Sequence, residues 1–328
     1  TKPNSDIGRY AKLLFVGDKP TIAYLSIEPG KDGAVSSKIR IATATSATPT
    51  ETDWTFEDAV VDLATPCRAY NCATGSACIV ETNRCMKKET TCMPKCASGT
   101  ACVDLGMGAV CSDVRDGSKI DTYPEAVGDY ISVALDPTRA LGIAYYDRIR
   151  GNLVIASKVN GTWTSKVIDG QAADGTDTGD RGMGASLFID DQSNWHISYV
   201  DGLSEGLLYA QVGKDGTTKI TGVVDDGLSI NGMKFSDGQH LVGDDSNIFV
   251  GPSGEIHITY QDATAGKLRH AIGTPTGGMV TWKTAVIEQD GFAGAFSHVF
   301  LVDGALTLAN WWRMGGDEPK GDVNIIIP

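Results

Sequence analysis

The sequence lacks several features that would assign it to a common class. It has no apolar run near the roughly 20 residues of a membrane-spanning helix, and no long stretch repeats apolar residues at helical spacing. It also has no G-x-S-x-G, no Walker phosphate loop, no dinucleotide fingerprint and no H-E-x-x-H motif. No catalytic residue is therefore assigned from a motif, and a predominantly helical fold is not expected.

Basic residues are in short supply. The chain has 41 acidic and 28 basic residues, which gives a net charge of −13. This balance argues against a phosphate-binding surface and against nucleic acid as a partner. The excess of acid either keeps the chain soluble or binds cations, and composition leaves both open. The chain opens on TKPNSD without a Met, from which we expect a processed or trimmed form.

Cysteine is absent from most of the chain and concentrated in one segment, in two sets that share the phrase C-A-x-G-x-A-C. The first set is Cys67, Cys72, Cys78 and Cys85, and the second is Cys92, Cys96, Cys102 and Cys111. An even number, close spacing and few apolar residues predict disulfides and an oxidising compartment, hence a secreted or cell-surface protein. We expect two bridges within each set. A zinc site would need paired C-x-x-C knuckles, usually with His, and these are missing.

One sequence phrase recurs, with an aromatic residue, an Asp two residues later and an Ala eleven residues after the aromatic residue. The clearest copies are GIAYYDRIRGNLVIA (142–156), HISYVDGLSEGLLYA (196–210) and HITYQDATAGKLRHA (257–271). Weaker copies contain Tyr24 near the start and Asn310 near the end. The phrase is an internal repeat.

Each copy belongs to a larger unit of short runs rich in Val, Ile, Tyr and Trp, bounded by Gly, Asp and Pro, which is typical of strands and turns. Four strands about every 50 to 60 residues indicate a β-propeller blade. The chain is therefore predicted to be all-β, a propeller of five four-stranded blades with a small disulfide-rich insertion. Residues 1–62 would form the first blade, 63–129 the insert and 130–328 the other four.

The phrases GTWTSKVID and HISYVDGLSEGLLYA resemble a loosely defined family of secreted bacterial β-propeller repeats, with a unit of the form hxY-x-D…G-x-L-x-x-A. The resemblance covers most of the chain outside residues 63–129. It implies the propeller fold but no particular activity, because propellers include lectins, hydrolases and scaffolds. It supplies no catalytic residue.

The connections between blades are long, and in a propeller they share one face with the turns that follow the repeated Asp. That face is the expected binding face. Asp147, Asp201 and Asp262 enter it as candidate ligand-binding residues, although each would also suit a turn cap. A candidate calcium site consists of Asp174, Asp177 and Asp180, and calcium is the only cofactor that the sequence indicates. The alternative is that these residues form a solvated acidic loop without a bound ion.

Near the C-terminus, Trp311, Trp312 and Arg313 are candidates for stacking on a sugar or anchoring a protein. Alternatively, the two Trp side chains fill gaps within and between blades. His196 and His257 share one repeat position and are expected to be structural, and no close His pair suggests a catalytic metal.

The fifth copy stops after its third strand, so residues 323–327 are expected to form an open, apolar β-edge. Such an edge is a template for strand addition. We expect it to pair with another subunit or with a further part of a precursor. The alternative is a fourth strand folded from residues 1–9.

These observations favour an extracellular or surface-displayed binding or adhesion propeller that recognises a glycan or protein through its long-loop face. A first alternative is a polysaccharide-acting glycoside hydrolase, whose two carboxylates would lie about 5 to 10 Å apart, drawn from Glu205 and the three repeated Asp residues. A second alternative is a structural subunit of a surface assembly.

Overall fold

The computed structural model describes residues 5–30, 34–68, 72–106, 108–115, 124–230, 232–287, 290–314 and 320–327. All regular structure in these ranges is β, which confirms the all-β class. No helix in them is long and apolar enough to cross a membrane. The chain divides into two compact units, one of residues 1–129 with 147–149 and one of residues 130–146 with 150–328.

Five antiparallel sheets follow one another along the chain, each built from consecutive strands in spatial order. The first sheet contains β1 (Asp6–Val16), β2 (Lys19–Pro29), β3 (Val35–Ala44) and β4 (Trp54–Asp62). The second contains β9 (Val127–Leu135), β10 (Leu141–Asp147), β11 (Asn152–Val159) and β12 (Thr162–Asp169). The third contains β13 (Arg181–Ile189), β14 (Trp195–Asp201), β15 (Gly206–Val212) and β16 (Thr218–Asp225).

The fourth sheet contains β19 (Val242–Val250), β20 (Ile256–Asp262), β21 (Lys267–Thr276) and β22 (Met279–Ile287). The fifth contains β23 (Phe292–Val302), β24 (Ala305–Met314) and β25 (Lys320–Ile326). Three short hairpins complete the structure: β5 (Ser76–Ile79) with β6 (Arg84–Lys87), β7 (Thr100–Asp104) with β8 (Ala109–Asp113), and β17 (Ser229–Ile230) with β18 (Met233–Lys234).

The repeated Tyr-x-Asp phrase forms the second strand of its sheet, and both faces of that strand are covered. Every residue of β14 and of β20 is buried. One apolar cluster joins the second and third sheets, and another joins the third and fourth. Within the second unit, the core therefore lies between successive sheets.

The first strand of each sheet carries a bulge that starts at a glycine with positive φ. These glycines are Gly8 (105°), Gly128 (98°), Gly182 (111°), Gly243 (107°) and Gly294 (98°). Two residues later the backbone again has a φ of 50° to 60°, at Tyr10, Tyr130, Gly184, Asp245 and Phe296. The same irregularity in all five sheets confirms the repeat at the level of the backbone.

The bulge glycine brings its backbone onto the third strand of the preceding sheet. A Cβ on Gly182 would lie 2.8 Å from the Cα of Leu153, and one on Gly294 would lie 3.0 Å from the Cα of Leu268. Real Cβ atoms do not approach backbone atoms so closely, so only glycine permits this packing.

The repeated tyrosine links one sheet to the next. The Tyr199 hydroxyl donates to Asp169 Oδ2 at 2.7 Å, and the Tyr260 hydroxyl donates to Asp225 Oδ2 at the same distance. Each acceptor is the last residue of the preceding sheet. Burial, followed by the adjacent Asp169, raises the pKa of Tyr199 well above its usual value, so the phenol stays a donor.

Antiparallel order places the connections at two ends of each sheet in the second unit. We name the loop end by the segments 170–180, 202–205, 226–241 and 263–266, and the turn end by the segments 136–140, 160–161, 190–194, 213–217 and 251–255. The long connections lie at the loop end, as the sequence predicted.

The cysteine-rich segment consists of two disulfide-bonded hairpins, β5–β6 and β7–β8. The bridges are Cys67–Cys78, Cys72–Cys85, Cys92–Cys102 and Cys96–Cys111. Two bridges per set confirm the prediction, and no cysteine is free in the described ranges. The hairpins also share a small apolar cluster of Ala77, Ile79, Ala101 and Val103, which the sequence reading had not anticipated. Residues 69–71, 107 and 116–123 of the predicted insert lie outside the described ranges.

The C-terminal strand β25 pairs with β24 on one side. Among the described residues no strand pairs with its other side. Residues 6–9 belong to β1 and pair with β2, so they do not supply a fourth strand to the fifth sheet. Val323, Ile325 and Ile327 are 65 to 70% exposed, and pairing of this edge with another subunit stays a prediction.

The bulge geometry predicts a specific destabilisation. Gly182→Ala should lower the free energy of unfolding by about 2 kcal/mol more than Gly8→Ala. Both glycines have φ near 105° to 111°, but no atom lies within 4 Å of a Cβ placed on Gly8. Urea denaturation of both variants measures the difference, and equal losses would contradict the packing role of Gly182.

Candidate functional site

The longest connection at the loop end is the segment 226–241, between β16 and β19. It contains the hairpin β17–β18 and presents Leu228, Met233 and Leu241 to solvent, with 50%, 69% and 41% of their surface exposed. Single exposed apolar residues are ordinary, but three on one connection form a candidate contact surface.

A buried charge network lies beneath this connection. The Arg269 guanidinium on β21 is fully buried; Nη1 donates to Asp225 Oδ2 at 2.7 Å and Nη2 donates to Asp262 Oδ2. Tyr260 donates to the same Asp225 oxygen. A buried cation between two carboxylates is stable only while its partners remain in place.

His240, near the end of the connection, adds an imidazole ring to the network. Its Nδ1 lies 2.8 Å from Asp262 Oδ2, and its Nε2 lies 3.2 Å from Asp237 Oδ1. Burial lowers the pKa of His240, but the hydrogen bonds with Asp262 and Asp237 outweigh burial and raise it overall. The imidazole of His240 therefore lies between Asp262 and Asp237, next to the Arg269 guanidinium.

Phe235 ties the middle of the connection to the same network. Its ring stacks on the His240 ring, with centroids 3.7 Å apart and planes 12° apart. The guanidinium carbon of Arg269 lies 5.0 Å from the Phe235 ring centroid. Gln239 Nε2 donates to the carbonyls of Ser204 and Asp226. The exposed residues of 226–241 therefore stand on an ordered support.

The repeated Asp residues close the turns that follow them. Oδ1 of Asp147 accepts from the Ile149 amide, Oδ1 of Asp201 from the Leu203 amide and Oδ1 of Asp262 from the Ala265 amide, at 2.8 to 3.0 Å.

Asp201 has further partners, an ion pair with Arg181 and a hydrogen bond from the Ser204 hydroxyl at 2.5 Å. Burial raises the pKa of Asp201, yet the bonds from Ser204 and Leu203 lower it overall. Because the repeated carboxylates are engaged within the chain, their geometry favours the turn-capping alternative.

The acidic loop between β12 and β13 directs its carboxylates into separate contacts. Asp174 accepts from the Thr176 amide, Asp177 from the Gly179 amide, and Asp180 from the Tyr146 hydroxyl. These oxygens are not among the described ligand groups that gather within 4.8 Å of one another, all of which are disulfide-bonded cysteines. The three Asp residues are not brought together as a calcium ligand set.

The tryptophan pair lies at the loop end of the fifth sheet, on β24. Trp311 packs edge-to-face on Phe292, with ring centroids 6.1 Å apart, and both Trp side chains are half-buried. Trp312 Nε1 donates to the Asp290 carbonyl. Arg313 is exposed and pairs in register with Phe292. Trp311, Phe292 and Arg313 therefore form a compact surface at the sheet end.

A second group of carboxylates lies where the bulge of β19 opens onto the loop end. Asp244 and Asp245 follow the bulge glycine, and Glu205 lies beside β19 because its carbonyl accepts from the Val242 amide at 3.1 Å. Burial, then the neighbouring charges of Asp245 and Glu205, raise the pKa of Asp244. Sequence reasoning identified Glu205 alone; alignment of the five bulges would have found the other two.

A His–Tyr pair and a His–His pair lie at equivalent positions of two sheets, away from the loop end. In the third sheet, His196 Nδ1 lies 2.7 Å from the Tyr209 hydroxyl; in the fourth, His257 Nδ1 lies 3.2 Å from His270 Nε2. Burial and the neighbouring His257 lower the pKa of His270 to about 4, and burial lowers that of His257. The histidines are packed within the sheets, as expected for structural residues.

The arginine network predicts an unequal response to two substitutions. Arg269→Leu should lower the free energy of unfolding by about 3 to 5 kcal/mol, because it removes the guanidinium from between two buried carboxylates and leaves Asp262 with His240 as its only basic partner in the network. Arg181→Leu should cost about 1 kcal/mol, because the Arg181 side chain is 22% exposed and Asp201 keeps two other partners. Urea denaturation compares them, with limited proteolysis of 226–241 as a second readout; similar losses would refute the support role.

The histidine pair predicts acid sensitivity. Because the folded-state pKa of His270 lies below its unfolded value near 6.5, the unfolded chain binds more protons, and stability falls as pH decreases from about 6.5 towards 4. His270→Tyr would replace the His–His pair with the His–Tyr pair of the third sheet, and it should reduce this loss of stability. Thermal unfolding at pH 7 and pH 5 measures it, and the same pH dependence in both proteins would exclude the pair as the cause.

No family model and no curated protein sequence matches the chain. Among solved structures, an exo-β-1,3-galactanase from Phanerochaete chrysosporium with galactose is similar at 9% identity and a TM-score of 0.41. The match covers 93% of this chain and 56% of the galactanase chain, so this chain spans just over half the length of the galactanase. A GH43 β-1,3-galactosidase with galactodeoxynojirimycin matches at 10% identity and a TM-score of 0.43, over 97% and 90% of the two chains. An α-L-arabinanase from Cellvibrio cellulosa complexed with arabinohexaose matches at 11% identity and a TM-score of 0.39, and the match covers 98% of this chain and 92% of that one.

Proposed function

We propose that this chain is a secreted or surface-displayed β-propeller that binds a glycan or protein partner through the loop end of its sheets. Five sheets with one repeated bulge support the propeller, and four disulfides indicate an oxidising compartment. The function rests on one observation: a fully buried Arg269 network supports an otherwise exposed connection.

The physical reason is pre-organisation. Ordering a connection of this length during binding would cost conformational entropy, and a connection that is already ordered avoids that cost. The network contributes no reactive group to solvent, because its carboxylates are engaged with Arg269, His240 and Tyr260. Support of a contact surface is therefore the role that fits it best.

The surface itself has two parts that suit different partners. Leu228, Met233 and Leu241 offer aliphatic and thioether area of the kind that protein interfaces bury. The Trp311, Phe292 and Arg313 group offers aromatic edges and a cation, which suit a sugar or a protein anchor. Both parts lie at loop ends of sheets in the second unit.

Two exposed methionines provide the test. Met233→Asp at the loop end should weaken partner binding by about tenfold or more. Met279→Asp at the start of β22, away from the loop end, should leave binding unchanged and is a matched control, because the two residues are 69% and 71% exposed. Binding is measured on a glycan array and by capture from envelope extracts of the producing cell. Blank results in both assays, or equal effects of the two substitutions, would overturn the proposal.

A second candidate, a polysaccharide-acting hydrolase, is favoured by the raised pKa of Asp244 beside Asp245 and Glu205. A carboxyl with a raised pKa near a second carboxylate suits a general acid in glycoside hydrolysis. Incubation with chromogenic glycosides and plant polysaccharides distinguishes the two functions. Turnover that is lost in Asp244→Asn would make hydrolysis the function.

A further inference from the structure

A groove of about 470 Å³ opens at the turn end, between the second and third sheets. Its walls come from β10, β11 and β12 and from the turns 190–194 and 213–217. The groove lies at the opposite end of these sheets from the proposed binding surface. Its volume is in the range of small-molecule sites, about 300 to 1,000 Å³.

The floor of the groove depends on the packing of Gly142 against Trp195, a pair that the described residues contain only between the second and third sheets. A Cβ on Gly142 would lie 2.6 Å from the Trp195 ring, so the missing side chain makes room for the indole. At the position of Gly142 the third and fourth sheets have His196 and His257. Because this pairing departs from the repeat, the floor is not a by-product of it.

Apolar and hydroxyl groups line the groove together. Ile155, Ile189 and Trp195 supply apolar surface, and Ser157, Thr164 and Ser193 supply hydroxyls. A sugar ring has the same combination, with C–H groups on its faces and hydroxyls around its rim.

The charged side chains that line the groove indicate which class of sugar it would bind. Lys158, Lys166 and Lys214 line the groove against two carboxylates, Asp136 and Asp215. The lining of the groove thus has one more basic than acidic side chain, although the chain as a whole has a net charge of −13. An anionic group is therefore favoured at this point of an otherwise acidic surface.

Both carboxylates of the groove accept hydrogen bonds from backbone amides of their own turns. Asp136 Oδ1 accepts from the Thr138 and Ala140 amides at 2.8 Å, and Asp215 Oδ1 accepts from the Thr217 amide at 2.9 Å.

The lysines differ in how they are held. Lys166 Nζ donates to the Gly216 carbonyl at 2.6 Å, which joins the two sheets across the groove, and Lys158 Nζ lies 5.5 Å from the Trp163 ring centroid. For Lys214, which is exposed, no ion pair or hydrogen bond is found with the residues that the structure describes.

We propose that this groove binds an acidic saccharide unit, a hexuronate, with its ring on the apolar floor and its carboxylate at Lys214. The site would add recognition of anionic polysaccharide to whatever partner binds at the loop end. It does not depend on the proposed function, because no residue is shared between the two surfaces.

Isothermal titration calorimetry on the full chain tests the proposal with galacturonate, galactose and acetate at low ionic strength. Galacturonate should bind, with galactose and acetate each at least several-fold weaker. Lys214→Gln should weaken galacturonate binding roughly fivefold. Lys234→Gln, which makes the same charge change on β18 at the loop end, should have no effect.

Each other outcome would overturn the assignment. Equal binding of galactose would remove the role of charge, and equal binding of acetate would reduce the groove to a general anion site. An equal loss in Lys234→Gln would attribute the effect to net charge. No measurable heat with galacturonate up to tens of millimolar would exclude the site.

Discussion

The close approach of the bulge glycines Gly182, Gly243 and Gly294 to the preceding sheet sets the spacing on which the second unit depends. With Gly182 against the backbone of Leu153, the two sheet faces come near enough for their apolar side chains to form a continuous core. The same approach allows the tyrosine hydroxyl to reach the last Asp of the preceding sheet. A larger residue would separate the sheets and weaken both contacts at once.

The acidic excess of the chain divides into carboxylates that hold the fold and carboxylates that face solvent. Asp201, Asp225 and Asp262 belong to the first kind, because backbone amides, a tyrosine or an arginine engage them. Asp244 belongs to the second kind, although partial burial of its carboxyl, followed by the charges of Asp245 and Glu205, raises its pKa. The negative charge of the sequence therefore does not by itself distinguish carboxylates that are engaged within the fold from carboxylates that face solvent.

The sequence predicted the sheets and the disulfide sets well, because both leave periodic signals. The in-phase Tyr and Asp marked the second strand of a sheet, and the duplicated cysteine phrase marked two internally bridged hairpins. Loop length correctly located the long connections at one end. Each of these features depends on local pattern, which a single sequence records.

The candidate sites were harder to predict, because they arise where the repeat is broken. Arg269 occupies a position that is Leu208 in the preceding copy, and only the fold shows that two carboxylates meet there. Gly142 and Trp195 are far apart in sequence, and their fit appears only once neighbouring sheets are packed. A comparison that searches for departures from the repeat would have flagged all three residues.

The arginine network also bears on how a repeat protein can acquire a new feature. Asp225 accepts the hydrogen bond of Tyr260, as Asp169 accepts that of Tyr199, and Asp262 caps the turn that follows it, as Asp201 does. Both carboxylates therefore make contacts that the preceding copy also makes. Of these three side chains, only the arginine is particular to one copy. A single replacement at the position held by Leu208 in the preceding copy is therefore sufficient to place a cation between the two carboxylates, since both are already in place. Duplication thus supplies pre-placed acids from which one copy can diverge in a single step.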